Sequence, residues 1–297
     1  MTHTGRQEAI IDIRAFFDQD TATVTYVVSD PASRRCAIID PVLDYDSQAG
    51  VTATHSADEV AAYVEAAGLA VDWILETHIH ADHLTAAAYL KERLGGNTGI
   101  GDRIVDVLAY WVPVFDTARD TPADGSQFDR LFADGERFAI GGLTVRVMHT
   151  PGHTPACVSY LIGDAVFVGD TLFMPYVGTS RTDFPDGDAA TLYRSIHGIL
   201  SLPDSTRIFT AHDYPPVGQA PAWESTVAGQ KRDNIMIRDG ISEAQYVERR
   251  RARDATLAVP RLILPSLQVN LRAGGLGQPN ENGTQYIRIP LNVLKKP

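Results

Sequence analysis

Six consecutive residues constrain this chain more than any others: His78-Ile79-His80-Ala81-Asp82-His83. They put three imidazoles and a carboxylate into one short segment of a 297-residue sequence that holds only nine histidines. Such clustering asks for a fold that gathers these groups around a divalent metal. Zinc and iron both accept neutral imidazole and carboxylate. The flanks say where the segment sits. Val71-Asp-Trp-Ile-Leu75 reads as a buried strand running into it, and residues 84–94 (LTAAAYLKERL) read as a helix closed by Gly95-Gly96. The histidines therefore fall on a loop at a strand end, where chemistry commonly resides.

Three more strand ends repeat the pattern. His149-Thr-Pro-Gly-His153 follows a predicted strand, and the Pro151-Gly152 turn presents His153, whereas His149 has no second feature and reads as structural. Val166-Phe-Val-Gly-Asp170 ends an apolar run in a carboxylate, which is costly unless paired or bound to metal. Ile208-Phe-Thr-Ala-His212-Asp-Tyr214 ends another in histidine. Each signal is middling alone, but four strand ends offering ligands in this order are specific.

The remaining sequence predicts one α/β domain over 1–297. Short β runs at 8–16, 22–28 and 35–40 form an antiparallel meander. Ser56 with Glu59 predicts a capping box for a helix over 56–68. Strands at 137–148 and 157–169 each fold back on a turn, at Gly141-Gly142 and Gly163-Asp164. A helix follows over 188–201, then a strand over 206–211. Residues 97–135 read as an insertion packed beside the site. Residues 221–297 read as a C-terminal extension on the core, with a basic helical segment from 240 to 255. Two sheets face to face with helices outside accommodate this order.

A formal net charge of −11 argues against a nucleic-acid partner. No stretch approaches the ~18 unbroken apolar residues of a membrane span, and the first residues show no signal-peptide core. No membrane partner and a cytoplasmic location are the expectations. Cys36 and Cys157 are too few for a disulfide scaffold and read as packed thiols.

The ordered ligand set resembles the metallo-β-lactamase superfamily over roughly residues 10–215. That resemblance implies an αββα sandwich, two packed mixed sheets flanked by helices, with a metal site at one edge. In the two-zinc arrangement common there, His78, His80 and His153 would serve one metal and Asp82, His83 and His212 the other, with Asp170 bridging. Three segments look more specifically like the persulfide (sulfur) dioxygenases of the bacterial type II branch. They are Thr77-His-Ile-His-Ala-Asp-His-Leu84, Ser180-Arg-Thr-Asp-Phe184, and the tail Leu264-Pro-Ser-Leu-Gln-Val-Asn270 with Pro290-Leu-Asn292.

This closer resemblance implies one Fe(II) per chain on His78, His153 and Asp170, supported by His80, Asp82, His83 and His212. Glutathione persulfide, O₂ and water would give sulfite and glutathione, and family habit implies a homodimer. Two histidines and one carboxylate leave three coordination positions open, as a sulfur ligand and O₂ require. Arg181 and Tyr214 fall where the family contacts substrate. Lys231 and Arg232 are a second cationic candidate, and the run Glu248–Arg253 reads as a solvated helix face. The same seven ligands also permit a zinc thioester hydrolase of the glyoxalase II kind. His78 and His153 lie 75 residues apart, more than in compact members, and the 97–135 insertion would account for it.

Overall fold

The computed structural model describes residues 11–293. It opens with the expected meander: β1 (Asp12–Asp18), β2 (Thr23–Asp30) and β3 (Arg35–Ile39), each antiparallel to the last. Residues 8–10 of the predicted first strand lie outside the described residues. A hairpin follows, β4 (Val42–Asp46) and β5 (Val51–Ala53), then helix α1 (His55–Ala66). Strand β6 (Ala70–Leu75) pairs parallel with β3 and delivers the histidine loop. Beyond the loop, β7 (Leu84–Thr85) pairs with β4, and α2 (Ala87–Leu94) packs on the sheet. Strands β8 (Asn97–Gly101) and β9 (Arg130–Phe132), with α3 (Ile104–Phe115) between them, complete a six-stranded sheet in the order β1-β2-β3-β6-β8-β9.

The second sheet, also six-stranded, takes its strands in sequence order. They are β10 (Arg137–Ile140), β11 (Leu143–His149), β12 (Val158–Ile162), β13 (Ala165–Phe167), β14 (Arg207–Phe209) and β15 (Glu224–Thr226). Helix α4 (Ala189–Leu200) carries the chain from β13 to its parallel neighbour β14. Three helices end the described chain: α5 (Val227–Asp233), α6 (Glu243–Asp254) and α7 (Ile263–Asn270).

Side chains alternate along each strand, so a strand buried on both faces reads as a continuous apolar run. In β2, Val24, Tyr26 and Val28 face the second sheet and meet Val145, Val147, Tyr160 and Phe167, while Val27 turns outward to α1. On the far side, Val166 and Val168 pack against Leu192, Ile196 and Ile199 of α4. Burying each such side chain stabilises the fold by about 1.5–3 kcal/mol. The layers are helix, sheet, sheet, helix, as the resemblance implied.

Four local expectations are corrected. The helix over 56–68 starts one residue earlier, and Ser56 is not its cap. The Ser56 amide and hydroxyl donate to the Asp44 carboxylate at 3.0 and 2.7 Å, tying α1 to β4. The helix over 84–94 begins only at Ala87, because Leu84 and Thr85 are taken by the β4 ladder. Residues 97–135 are not one insertion, since both ends are strands of the first sheet and only the segment around α3 lies outside it. Finally, the run Glu248–Arg253 is not wholly a solvated face. Arg250 is buried, ion-paired with Asp254 at 2.7 Å, and donates to the Thr179 carbonyl at 2.9 Å.

Two buried tyrosines connect this core to the site. Tyr160 donates to the Glu76 carbonyl at 2.8 Å, two residues before His78. Tyr26 donates to the Thr210 carbonyl at 2.5 Å, two residues before His212. Both hydroxyls are thus satisfied in the core, and both fix the exit of a ligand-bearing strand.

Candidate metal centre

Each ligand segment is held from behind. Asp40, at the end of β3, accepts from the Thr77 amide at 2.7 Å and the Thr77 hydroxyl at 2.8 Å. Asn270, the last residue of α7, clamps the other end of the histidine loop. Its amide nitrogen donates to the carbonyls of His80 and His83, both at 2.9 Å, and its oxygen accepts from the Thr85 amide at 2.8 Å. Gly152 (φ +134°) lets the turn before His153 lie against α4, where a Cβ would stand 2.4 Å from the Leu192 backbone. Gly169 (φ +51°) starts the 3-10 turn that carries Asp170 and passes similarly close to Thr77.

The hydrogen bonds around the five imidazoles decide which ring nitrogen is free. His153 Nδ1 lies 2.8 Å from the Arg181 carbonyl and His212 Nδ1 3.1 Å from the Ala22 carbonyl. His83 Nδ1 lies 3.3 Å from the Asp82 carboxylate. His80 Nε2 sits between Asp40 at 3.1 Å and Glu76 at 3.2 Å. Carbonyls and carboxylates only accept, so each of these nitrogens carries the proton. His78 Nδ1 is 3.0 Å from the Thr77 hydroxyl, whose own proton goes to Asp40, so here too the ring donates. In the neutral form of each ring the opposite nitrogen is left with its lone pair.

Those lone pairs lack partners. Nε2 of His78, His83 and His212, Nδ1 of His80 and Oδ1 of Asp170 are all buried without a hydrogen bond. One buried orphan costs about 1–3 kcal/mol; a group of imidazole and carboxylate orphans facing one another is what a divalent cation satisfies. His78, His153 and Asp170 have ligand atoms within 4.8 Å of one another, and the Asp170 carboxylate is 3.6 Å from His153 Nε2 and 4.0 Å from His78 Nε2. Donors about 2.0–2.2 Å from one ion fit such separations after small shifts. His80, Asp82 and His83 form a second group within the same limit.

The electrostatics divide the cluster. Burial, reinforced by His80 and His153, holds the pKa of His78 well below the usual histidine value, which keeps it neutral and able to ligate. Burial opposes charge on His80, but Asp40 and Glu76 outweigh it and raise its pKa well above that value. Burial likewise opposes charge on His212, and there Asp82 and Asp170 win. Asp82 is partly buried, which opposes its charge, yet His212 and His83 hold its pKa well below the carboxylate range.

Above the centre lies a cavity of about 820 Å³ whose walls include Asp82, His153, Asp170, Arg181 and Tyr214. Tyr214 is half exposed and stacks on His212 at 16° with ring centres 6.0 Å apart. Arg181 is not free to hold a ligand carboxylate. Its guanidinium already pairs with Asp183 at 2.6 and 2.7 Å and donates to the Ala258 carbonyl at 2.7 Å. What Arg181 gives the centre is its backbone carbonyl, which orients His153. Lys231 and Arg232 do not reach the cavity; they pair on the surface of α5 with Asp204 at 2.7 Å and Asp233 at 2.6 Å. Cys36 and Cys157 are buried, and burial pushes both thiols up to about 12, so they stay protonated. Sequence reasoning missed Asp40 and Glu76, although Ile-Ile-Asp40 shows the same apolar run ending in a carboxylate that identified Asp170.

A family model described as "Metallo-beta-lactamase superfamily" matches residues 19–212, nearly the span from β1 to the last histidine. The chain belongs to the metallo-beta-lactamase superfamily. It is an enzyme of that superfamily, with a metal-binding cluster of histidines and aspartates at the fold's usual edge. A probable metallo-hydrolase of Burkholderia pseudomallei is 51% identical, covering 95% of this chain and 99% of that one. Glyoxylase B2 of Dictyostelium discoideum is 48% identical over 96% and 98%. The mitochondrial persulfide dioxygenase ETHE1 of Bos taurus is 33% identical over 71% and 72%. Among solved structures, ETHE1 from Myxococcus xanthus superimposes with a TM-score of 0.70 at 29% identity, over 89% of this chain and all of that one. No helix among the described residues is long and apolar enough to cross a membrane.

The Asn270 clamp makes a prediction. Asn270→Ala would leave two buried carbonyls and one buried amide unpaired, a loss of about 2–4 kcal/mol. In urea denaturation of metal-free protein the midpoint should fall with no change in slope. An unchanged midpoint would mean that the loop holds its shape without α7.

Proposed function

We propose that the protein is an iron-dependent persulfide dioxygenase that converts glutathione persulfide, O₂ and water to glutathione and sulfite. The observation that carries this reading is how the seven candidate ligands divide. His78, His153 and Asp170 form one compact group of donors beside the cavity, while the other four engage one another, Asp170 or residues behind them. Asp82 lies 3.2 Å from His212 Nε2 and 3.3 Å from His83 Nδ1, and His80 is held between Asp40 and Glu76. A set of two histidines and one carboxylate with open positions suits non-haem Fe(II). Bound there, Fe(II) would supply the redox change that O₂ chemistry needs and zinc lacks. The likeness to persulfide dioxygenases of known name supports the same reading.

The chain's own residues then have distinct tasks. Thr77 and the Arg181 carbonyl fix the rings of His78 and His153 so that both Nε2 atoms point at one position. Phe173 and Phe184 give the cavity apolar walls beside Asp170 and His153 and limit water there. Tyr214 sits at the mouth, where burial and the nearby Asp82, Asp170 and Asp213 carboxylates raise its pKa and keep its hydroxyl protonated as a donor.

A second reading, a zinc-dependent thioester hydrolase, is favoured by the unpartnered lone pairs of His80, His83 and His212, which could serve a second ion. Similarity to glyoxylase B2 points the same way. One experiment separates the two. With metal content measured on the same sample, the dioxygenase predicts about one iron per chain and O₂ uptake that depends on glutathione persulfide. Two zincs per chain, no O₂ uptake and anaerobic cleavage of a glutathione thioester would replace it with the hydrolase.

A further inference from the structure

The cavity over the metal centre is lined by charges of both signs. Its lining holds three carboxylates, Asp20, Asp82 and Asp170, and four arginines, Arg181, Arg250, Arg253 and Arg261. Two of these are already neutralised, Arg181 by Asp183 and Arg250 by Asp254. The other two form no ion pair among the described residues. Arg253 reaches only the Thr256 hydroxyl at 3.5 Å, and Arg261 only the Ser47 hydroxyl at 3.3 Å, with Asp46 nearby but unbonded. Both are exposed. The cavity also carries the Ser180 hydroxyl, buried and without a hydrogen-bond partner. Apolar side chains complete the lining, Phe173, Met236 and Leu257 among them.

We infer that Arg253 and Arg261 are the specificity-determining cations of this enzyme, binding the carboxylates of a peptide-like thiol whose sulfur end lies at the metal. Guanidinium groups without an acid of their own, on the wall of a cavity wide enough for a tripeptide, are matched by carboxylates at the far end of the ligand. Unpaired arginines in that position also disfavour an uncharged small thiol, which could not exploit them. Arg181, Lys231 and Arg232 cannot take this role, because their charges are spent on Asp183, Asp204 and Asp233. Only the identity of the sulfur end rests on the proposed function; the carboxylate grip stands on the cavity alone.

The test is calorimetric binding of S-methylglutathione, and of its diethyl ester, to metal-loaded protein. Arg253→Gln and Arg261→Gln are each expected to raise the Kd for the free acid about fivefold, and the double variant roughly 25-fold, as suits separate exposed ion pairs. The diethyl ester should bind the parent more weakly than the acid and lose little more in the variants. Arg249→Gln, on the outward side of α6, should bind like the parent. In turnover, the preference for glutathione persulfide over 2-mercaptoethanol persulfide should fall by the same factors, through KM. Parent-like Kd values for the acid in both single variants would overturn the inference, as would equal binding of acid and ester by the parent. The expected binding pattern without O₂ uptake would sustain it and defeat the dioxygenase reading. O₂ uptake with parent-like binding in the variants would do the reverse.

Discussion

Asp170→Ala protein, purified beside the parent, is expected to retain less than about a tenth of its metal and to lose turnover by roughly a thousandfold or more. Even residues that merely support a metal ligand cost 10–100-fold when removed, and Asp170 is closer to the centre than those. Its carboxylate is the one carboxylate among the described residues within 4.0 Å of both His78 and His153, and it also lies 3.3 Å from His212 Nε2. Without it, neutral imidazoles alone face the ion. His153→Ala should behave alike, because its Nε2 is the other donor turned to that carboxylate. His149→Ala is the matching control: that ring lies four residues upstream and bonds to the Pro155 carbonyl at 2.8 Å, away from the centre. Metal analysis together with turnover checks the set. Full metal and full activity in Asp170→Ala would dissolve the proposed trio.

The sequence exposed this centre well because its signals are local. A buried strand must end where its apolar run ends, and a histidine or aspartate at that point is visible without knowing the fold. That is how His78, His153, Asp170 and His212 could be placed. Charges that act through long-range partners were harder to place. Arg181 sits in a motif that suggests substrate contact, but its partner Asp183 is in the same motif and takes the guanidinium first. Arg250 and Arg253 belong to one basic run, three residues apart on a helix. Only the packing of α6 over the cavity tells that one is buried against Asp254 and the other left unpaired. Likewise β8 and β9 are short and separated by α3, so nothing in residues 97–135 marks them as sheet edges until β6 supplies the ladder.

The largest effect on stability is expected at Asp40, a residue that need touch no metal. Asp40 is buried, and its side chain accepts from the Thr77 amide, the Thr77 hydroxyl and His80 Nε2. His80 and Glu76 complete a buried triad, with Glu76 also accepting from the Thr85 hydroxyl. Burial alone would raise the Asp40 pKa, but the positive charge of His80 and the Thr77 bonds hold it below the usual carboxylate value. The group is therefore ionised and paired in a dry setting. Removing one partner of such a buried set leaves the others uncompensated, at about 3–5 kcal/mol, a large part of the roughly 5–15 kcal/mol by which a domain is stable. Asp40→Ala should lower the urea midpoint of metal-free protein accordingly, so the loss cannot be ascribed to a departed ion. Asp40→Asn keeps the shape and, with its oxygen in the Oδ1 place, can still accept from the Thr77 amide and His80 Nε2, but its NH₂ would face the Thr77 hydroxyl, which donates to Oδ2 in the parent. It should fall between parent and alanine variant. If the asparagine protein is instead as stable as the parent, the ionic character of the triad contributes nothing, and Asp40 acts only as a shape that holds Thr77 in place.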